Sequence, residues 1–167
     1  ENSEVDHTDT FGLDVDARDR DSRSLFIEDR LSLGAFQLTA GLRHDHFDTF
    51  GSELSPRIAA AWARNGHKIR AAYGEGFRAP AIGELYSPFF GFPDLQPERS
   101  RSIEVGYDRY WRDGSFTASL FDSDYDDLIF YDTRAGHYAN ILSATSRGLE
   151  LGAMRTFGKL SAALSYT

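Results

Sequence analysis

The sequence has no cysteine among its 167 residues. That excludes disulfides and thiolate metal sites, and it leaves the redox compartment open. It has no run of about 18 apolar residues, so no transmembrane helix can be drawn. The opening Glu1-Asn2-Ser3-Glu4 has neither the basic start nor the apolar stretch of a signal peptide. Positive charge is scarce: 18 Lys and Arg stand against 26 Asp and Glu, and a net charge of −8 argues against a nucleic-acid partner. Apolar content is modest too, at 41% with a mean hydropathy of −0.44. As averages these values describe a soluble protein. Strands that alternate apolar and polar residues, however, keep the average low even when one face meets lipid. The final Leu164-Ser165-Tyr166-Thr167 stops inside an alternating run, so both ends read as cut and the sequence as a fragment of a longer chain.

What the sequence has is a period of two. Phe36, Leu38, Ala40 and Leu42 alternate with polar or small residues, as do Ile103, Val105 and Tyr107, then Phe116, Ala118 and Leu120, then Leu149, Leu151 and Ala153. Tight turn signals fall at Gly34-Ala35, Asn65-Gly66, Asp113-Gly114 and Gly158-Lys159. Longer polar connections fall at 18–22, 48–53, 77–98 and 131–143. About nine strands result, at 9–17, 23–33, 36–47, 54–64, 67–76, 99–112, 115–130, 144–157 and 160–167. Several exceed the usual globular length of about 5–6 residues and match the roughly 9–11 of a tilted membrane strand. Short turns alternating with long loops are the outer-membrane barrel pattern. The fold expected is therefore all-β, an antiparallel transmembrane β-barrel segment. A soluble β-rich domain remains the alternative that alternation alone leaves open. Asp29 is the misfit: it shares a face with Leu25, Ile27, Leu31 and Leu33, which implies a rim position or a register slip.

The segment Tyr73-Gly74-Glu75-Gly76-Phe77-Arg78-Ala79-Pro80, followed by Leu85-Tyr86, resembles a motif of the TonB-dependent outer-membrane receptors. Gly91-Phe92-Pro93-Asp94-Leu95-Gln96-Pro97-Glu98-Arg99-Ser100 resembles a second, with Phe92 where Asn is more usual, and Ile103-Glu104-Val105-Gly106-Tyr107 a third. Ala40 to Asp45, Leu54 to Arg57, Asp127 to Ile129 and Ser146 to Glu150 resemble further pieces in the same order. The likeness covers roughly residues 25–167 and implies part of a barrel of about 22 strands with a separate N-terminal plug. It implies uptake of a ferric siderophore or cobalamin with energy from the TonB complex, no enzyme activity and no cofactor. The partners implied are the plug, outer-membrane lipid and lipopolysaccharide, and the nutrient. The stretch from Ala40 to Tyr86 leans toward the cobalamin branch, although siderophore receptors share much of it. A porin or a barrel enzyme is the other outer-membrane alternative. As a cut segment the chain should leave two unpaired sheet edges and not close a barrel by itself.

Within the motif, Gly74, Gly76, Phe77, Ala79, Pro80, Leu85, Leu95, Pro97, Glu98, Glu104 and Gly106 read as structural. Gly74 and Gly76 leave one face bare for close approach, and Pro80 ends ladder pairing. Loops carry specificity on such scaffolds. The candidate ligand contacts are therefore Arg78, Tyr86, Phe89, Phe90, Phe92, Tyr131 and Tyr138, with packing of the loop's aromatics against one another as the other reading. His44, Asp45, His46 and Asp48 bring metal-ligand types together, but alternation sends Asp45 to the opposite face from the two histidines, which reads as a solvated rim and no metal site. Asp122, Asp124, Asp126 and Asp127 form an acidic rim without the spacing of a calcium loop. Arg57, Arg70, Glu104, Asp108, Arg112 and Glu150 fall on the inward face, and Trp62, Tyr73, Tyr107 and Trp111 on the lipid-interface girdles.

Overall fold

The computed structural model describes residues 20–167, which form one antiparallel sheet of eight strands in strict chain order. The strands are β1 (Ser22–Leu33), β2 (Phe36–Phe47), β3 (Gly51–Arg64), β4 (His67–Arg78), β5 (Glu98–Trp111), β6 (Gly114–Asp132), β7 (His137–Phe157) and β8 (Leu160–Tyr166). A short helix, α1 (Ile82–Tyr86), lies in the connection between β4 and β5. The expected strand at 9–17 lies outside the described residues. Among the described residues β1 and β8 do not pair, so the sheet is an open arc.

Three of the four short turns stand where Gly and Asn allow a positive φ, and the fourth, at 112–113, does without one. Gly34, Asn65, Gly66 and Gly158 all have positive φ, the conformation favoured in a tight hairpin. The long connections are shorter than the sequence suggests. The polar stretch 131–143 is strand except at 133–136, and 48–53 shrinks to 48–50. β6 and β7 thus reach 19 and 21 residues, longer than lipid requires, and they project beyond it at the loop end.

The register carries a regular stagger. Leu33 and Phe36, at the first short turn, lie in one row with Trp62, Ile69, Tyr107, Ala118, Leu151 and Tyr166. The next three short turns close two residues past Trp62, four past Tyr107 and six past Leu151. That is one residue per strand. With a rise of about 3.3 Å and a strand spacing of about 4.8 Å, it tilts the strands by roughly 35°.

The two faces differ in kind. Cross-strand partners put Leu25, Ile27, Leu38, Ile58, Ile69, Val105, Leu120, Leu149 and Leu164 on one face, and most are half exposed or more. The other face holds Glu28, Arg57, Arg70, Glu104, Asp108, Ser119 and Glu150. Among the described residues the buried aliphatic side chains are Leu85, Leu95 and Ile129, joined by Pro80 and Pro97, all at the loop end. The sheet itself has no apolar core. A face this apolar and this open needs a covering phase, and the tilt and alternation make that phase lipid. Asp29 stays on the apolar face, four residues from Leu33, with neither the rim position nor the register slip expected of it. Its Oδ1 accepts the Arg30 N–H at 2.8 Å.

Placing a charge on the apolar face tests the assignment. Val105→Arg is expected to destabilise the intact receptor in liposomes by about 2–4 kcal/mol, whereas Thr39→Arg on the other face is expected to change little. Urea unfolding of both variants measures the difference.

Candidate functional site

The apolar band on β4 ends at Tyr73, with Glu75 next on that face, and on β5 it ends at Ile103, with Arg101 next. Above this level the chain leaves the regular ladder. β3–β4 pairing stops at Arg57–Gly74. Pro56 follows immediately on β3, and a proline has no N–H to offer the next rung. β6 carries a bulge around Asp127, whose φ is 57°. Between these two breaks the β4–β5 connection folds onto the tops of β6 and β7.

One arginine anchors it. Arg78 donates from Nε and Nη2 to the two oxygens of Glu98, each at 2.7 Å, and from Nη1 to Glu84 at 3.1 Å. Glu98 Oε1 also accepts the Ile129 N–H at 2.8 Å, and Glu84 accepts the Ala81 N–H at 2.7 Å, which caps α1. Both ends of the loop and the bulged strand are therefore tied through one guanidinium. The Arg78 hydrogen bonds hold the Glu98 carboxyl below the usual carboxylate range, with a smaller contribution from the Ile129 N–H, against the opposing effect of desolvation. Asn140 fastens the other side. Its amide donates to the Asp127 and Gln96 carbonyls at 2.6 and 2.8 Å, and its Oδ1 accepts the Gln96 N–H at 2.8 Å.

Leu85 and Leu95, each 2% exposed, pack with Ile129, and Tyr86, Phe92 and Tyr138 close round them. Phe92 stacks on His137 at 4.7 Å. Gly91 is required here, since a Cβ would collide with the Leu85 and Ser87 backbone. Of the seven residues singled out as ligand contacts, Arg78 thus serves the clamp, and Tyr86, Phe92 and Tyr138 support the loop's core. Phe89, Phe90 and Tyr131 remain exposed, with Tyr138 edge-on to Phe90 and Tyr131 at 5.8 and 5.7 Å. Pro80 and Pro97 are fully buried, and the Pro80 carbonyl accepts from Arg20 at 2.6 Å.

Below the loop, the inward face carries an ionic network. Arg70 reaches Asp108 at 2.6 Å and Glu104 at 3.1 Å and donates to Ser119. Its guanidinium lies across Gly106, where any Cβ would collide with it, while a Cβ at Gly74 or Gly76 would meet its neighbours at ordinary contact distance. Arg57 pairs with Glu28 at 3.3 Å. Arg112 departs from the inward set: β5 ends at Trp111, so Arg112 is in the turn. Asp45 lies opposite to the face of His44 and His46, 1% exposed and held by Arg43 and Ser24. In the acidic rim, Asp122 pairs with Arg147, Asp124 with Arg101 and Asp127 with Arg99. Trp62, Tyr73, Tyr107 and Trp111 share the apolar face, Tyr73 near its loop end and the other three near the short turns.

Residues 2–167 match the family described as TonB dependent receptor-like, beta-barrel. The chain belongs to that family. It is 30% identical over 134 residues to the vitamin B12 transporter BtuB of Vibrio vulnificus, across 79% of this chain and 22% of the relative. The fold is shared with the siderophore receptor PirA from Pseudomonas aeruginosa (TM-score 0.80, 24% identity, 89% of this chain and 32% of that one). It is shared too with a variant of the ferric enterobactin receptor PfeA from the same organism, solved with enterobactin (TM-score 0.75, 22% identity, 89% and 27%). The chain spans between a fifth and a third of the length of these relatives. They are named as transporters and receptors, not enzymes.

Two outcomes check the loop. Leu85→Ala is expected to cost the loop about 2–5 kcal/mol of local stability, read as faster hydrogen exchange at 81–97 with β1–β3 unchanged. Because the folded Glu98 carboxyl sits below its unfolded value of about 4.3, its contribution is complete above that pH and is lost as pH falls through the lower folded value. Loop protection is therefore expected to be flat near neutrality and to drop below about pH 4, with a smaller drop in Glu98→Gln.

Proposed function

We propose that this chain is part of the wall and one outer loop of an outer-membrane transporter that takes up a large, scarce nutrient, a ferric siderophore or a cobalamin, with TonB-transduced energy. The observation that carries the proposal is the division of one sheet into an apolar outward face, an ionic inward face and an ordered loop on top. A wall of this kind separates lipid from a hydrated interior. The ionic inward face, with Arg70, Glu104, Asp108 and Glu150, suits a polar plug filling that interior. The named cargoes of the relatives, vitamin B12 and enterobactin, define the two ligand classes.

Phe89 and Phe90 in the loop and Tyr131 at the top of β6 are the contacts proposed for the nutrient, and Arg78, Tyr86, Phe92 and Tyr138 hold them in place. Aromatic rings on an ordered platform suit the flat, amphipathic surfaces of such cargoes and lose little freedom on binding. The TonB complex, the plug and lipopolysaccharide are partners of the whole receptor in this proposal, and catalysis has no part in it.

The test is equilibrium binding of the full-length receptor to a panel of cobalamins and ferric siderophores. Tight binding of one compound is expected, and replacing Phe89, Phe90 and Tyr131 singly by Ala is expected to weaken it about tenfold each. A receptor that binds none of the panel would instead favour a porin.

A further inference from the structure

The outward face is asymmetric in charge. At the loop end Arg101 is neutralised by Asp124 at 3.0 Å, Arg147 by Asp122 at 2.9 Å and Arg99 by Glu53 at 2.6 Å and Asp127 at 3.2 Å, which leaves Arg23 as the arginine of that face and end without an ion pair among the described residues. At the short-turn end the same face carries Arg64, His67, Arg109 and Arg155, with Arg112 and Lys159 in the adjoining turns. Arg64, His67 and Arg109 are successive cross-strand partners on β3, β4 and β5. None of these basic side chains takes part in an ion pair among the described residues. Arg109 donates to the Asn65 and Tyr110 carbonyls at 2.8 and 3.3 Å, and Arg155 lies 5.0 Å above the Phe157 ring. Asp113 is the one carboxylate in the four short turns.

A groove of about 300 Å³ adjoins Arg155, and Trp111, Ala153, Ala162 and Leu164 line it from the outward face. Alanines on two neighbouring strands make the depression, and an indole and a leucine make its sides. The groove runs from the apolar band to the cationic rim.

We propose that this rim is a binding surface for anionic phospholipid of the periplasmic leaflet. Headgroup phosphates sit against Arg64, Arg109 and Arg155, and one acyl chain lies in the trough between Trp111 and Leu164. The occupant follows from charge complementarity. Cations left without carboxylates, level with the end of an apolar band, match a molecule that is anionic at the interface and apolar just above it. A guanidinium presents a fork of donors that suits phosphate oxygens. The proposal rests on the reading of this sheet as an outer-membrane wall with its short turns toward the periplasm.

The test is competition between phosphatidylglycerol and phosphatidylcholine for the delipidated full-length receptor, with retained lipids counted by native mass spectrometry. The wild type is expected to retain phosphatidylglycerol preferentially. Arg109→Gln and Arg155→Gln are each expected to cut that preference about fivefold, while Arg155→Lys keeps most of it. Heat-dependent gel mobility and nutrient binding report that each variant is folded. Equal retention of the two lipids by the wild type overturns the proposal without needing any variant, and so does an unchanged preference in both Gln variants. A full-length receptor that fails to insert into liposomes overturns the outer-membrane reading itself, which is a separate outcome.

Discussion

In a bilayer every backbone N–H and C=O must find its partner within the protein, because no water reaches the hydrocarbon to take its place. That requirement explains why these strands pair only with their chain neighbours, antiparallel and without a crossover. It explains equally where irregularity is allowed. From the short turns up to Arg57 and Gly74 each ladder is continuous. The first lapse comes at Pro56, at the upper edge of the apolar band, where water can replace the missing rung. The bulge at Asp127 and the helix at Ile82–Tyr86 lie higher still. Irregular backbone thus begins where the solvent changes.

The inward face meets a different demand. It is polar, and its charges must be neutralised without an apolar core to fix them. Arg70 does this by lying flat across Gly106 toward carboxylates on β5 and a hydroxyl on β6. Arg57 crosses Gly41 in the same way to reach Glu28 on β1. Long side chains bridging strands over a glycine tie the wall together sideways, which the backbone ladders alone do less stiffly. Gly106 is therefore matched to Arg70, and replacing either alone leaves a clash or uncompensated charge.

Much of this was legible in the sequence. Alternation places the apolar face correctly on β1, β2, β5, β6 and β7, and Gly34-Ala35, Asn65-Gly66, Asp113-Gly114 and Gly158-Lys159 locate the four short turns to within a residue. Local pattern failed where long-range contact decides. Gly136 and the polar stretch about it read as a long loop, yet Tyr131 pairs with Tyr138 and the ladder runs to Asp132 and His137. The helix is only five residues long and has no period to detect. Arg78, Glu84 and Glu98 are six and twenty residues apart, so nothing in their spacing discloses one clamp. Asn140 falls within the polar stretch 131–143, and nothing in its spacing discloses that it closes the bulge. The cationic rim, by contrast, could have been found: Arg64, Arg112, Arg155 and Lys159 all flank turns already identified, with a single nearby acid.

The loop's construction also bears on how it can act. It is ordered by an apolar core made by Leu85, Leu95 and Ile129. One of those three belongs to β6, and Asn140 on β7 is bonded to the loop backbone. The loop cannot swing as a free lid, since any displacement carries the tops of β6 and β7 with it or breaks the core. Its ordering cost is met on folding, so the aromatic side chains proposed above as nutrient contacts would meet a ligand already placed. Such a surface favours one shape over many, and its selectivity should come from where the rings stand more than from movement around the ligand.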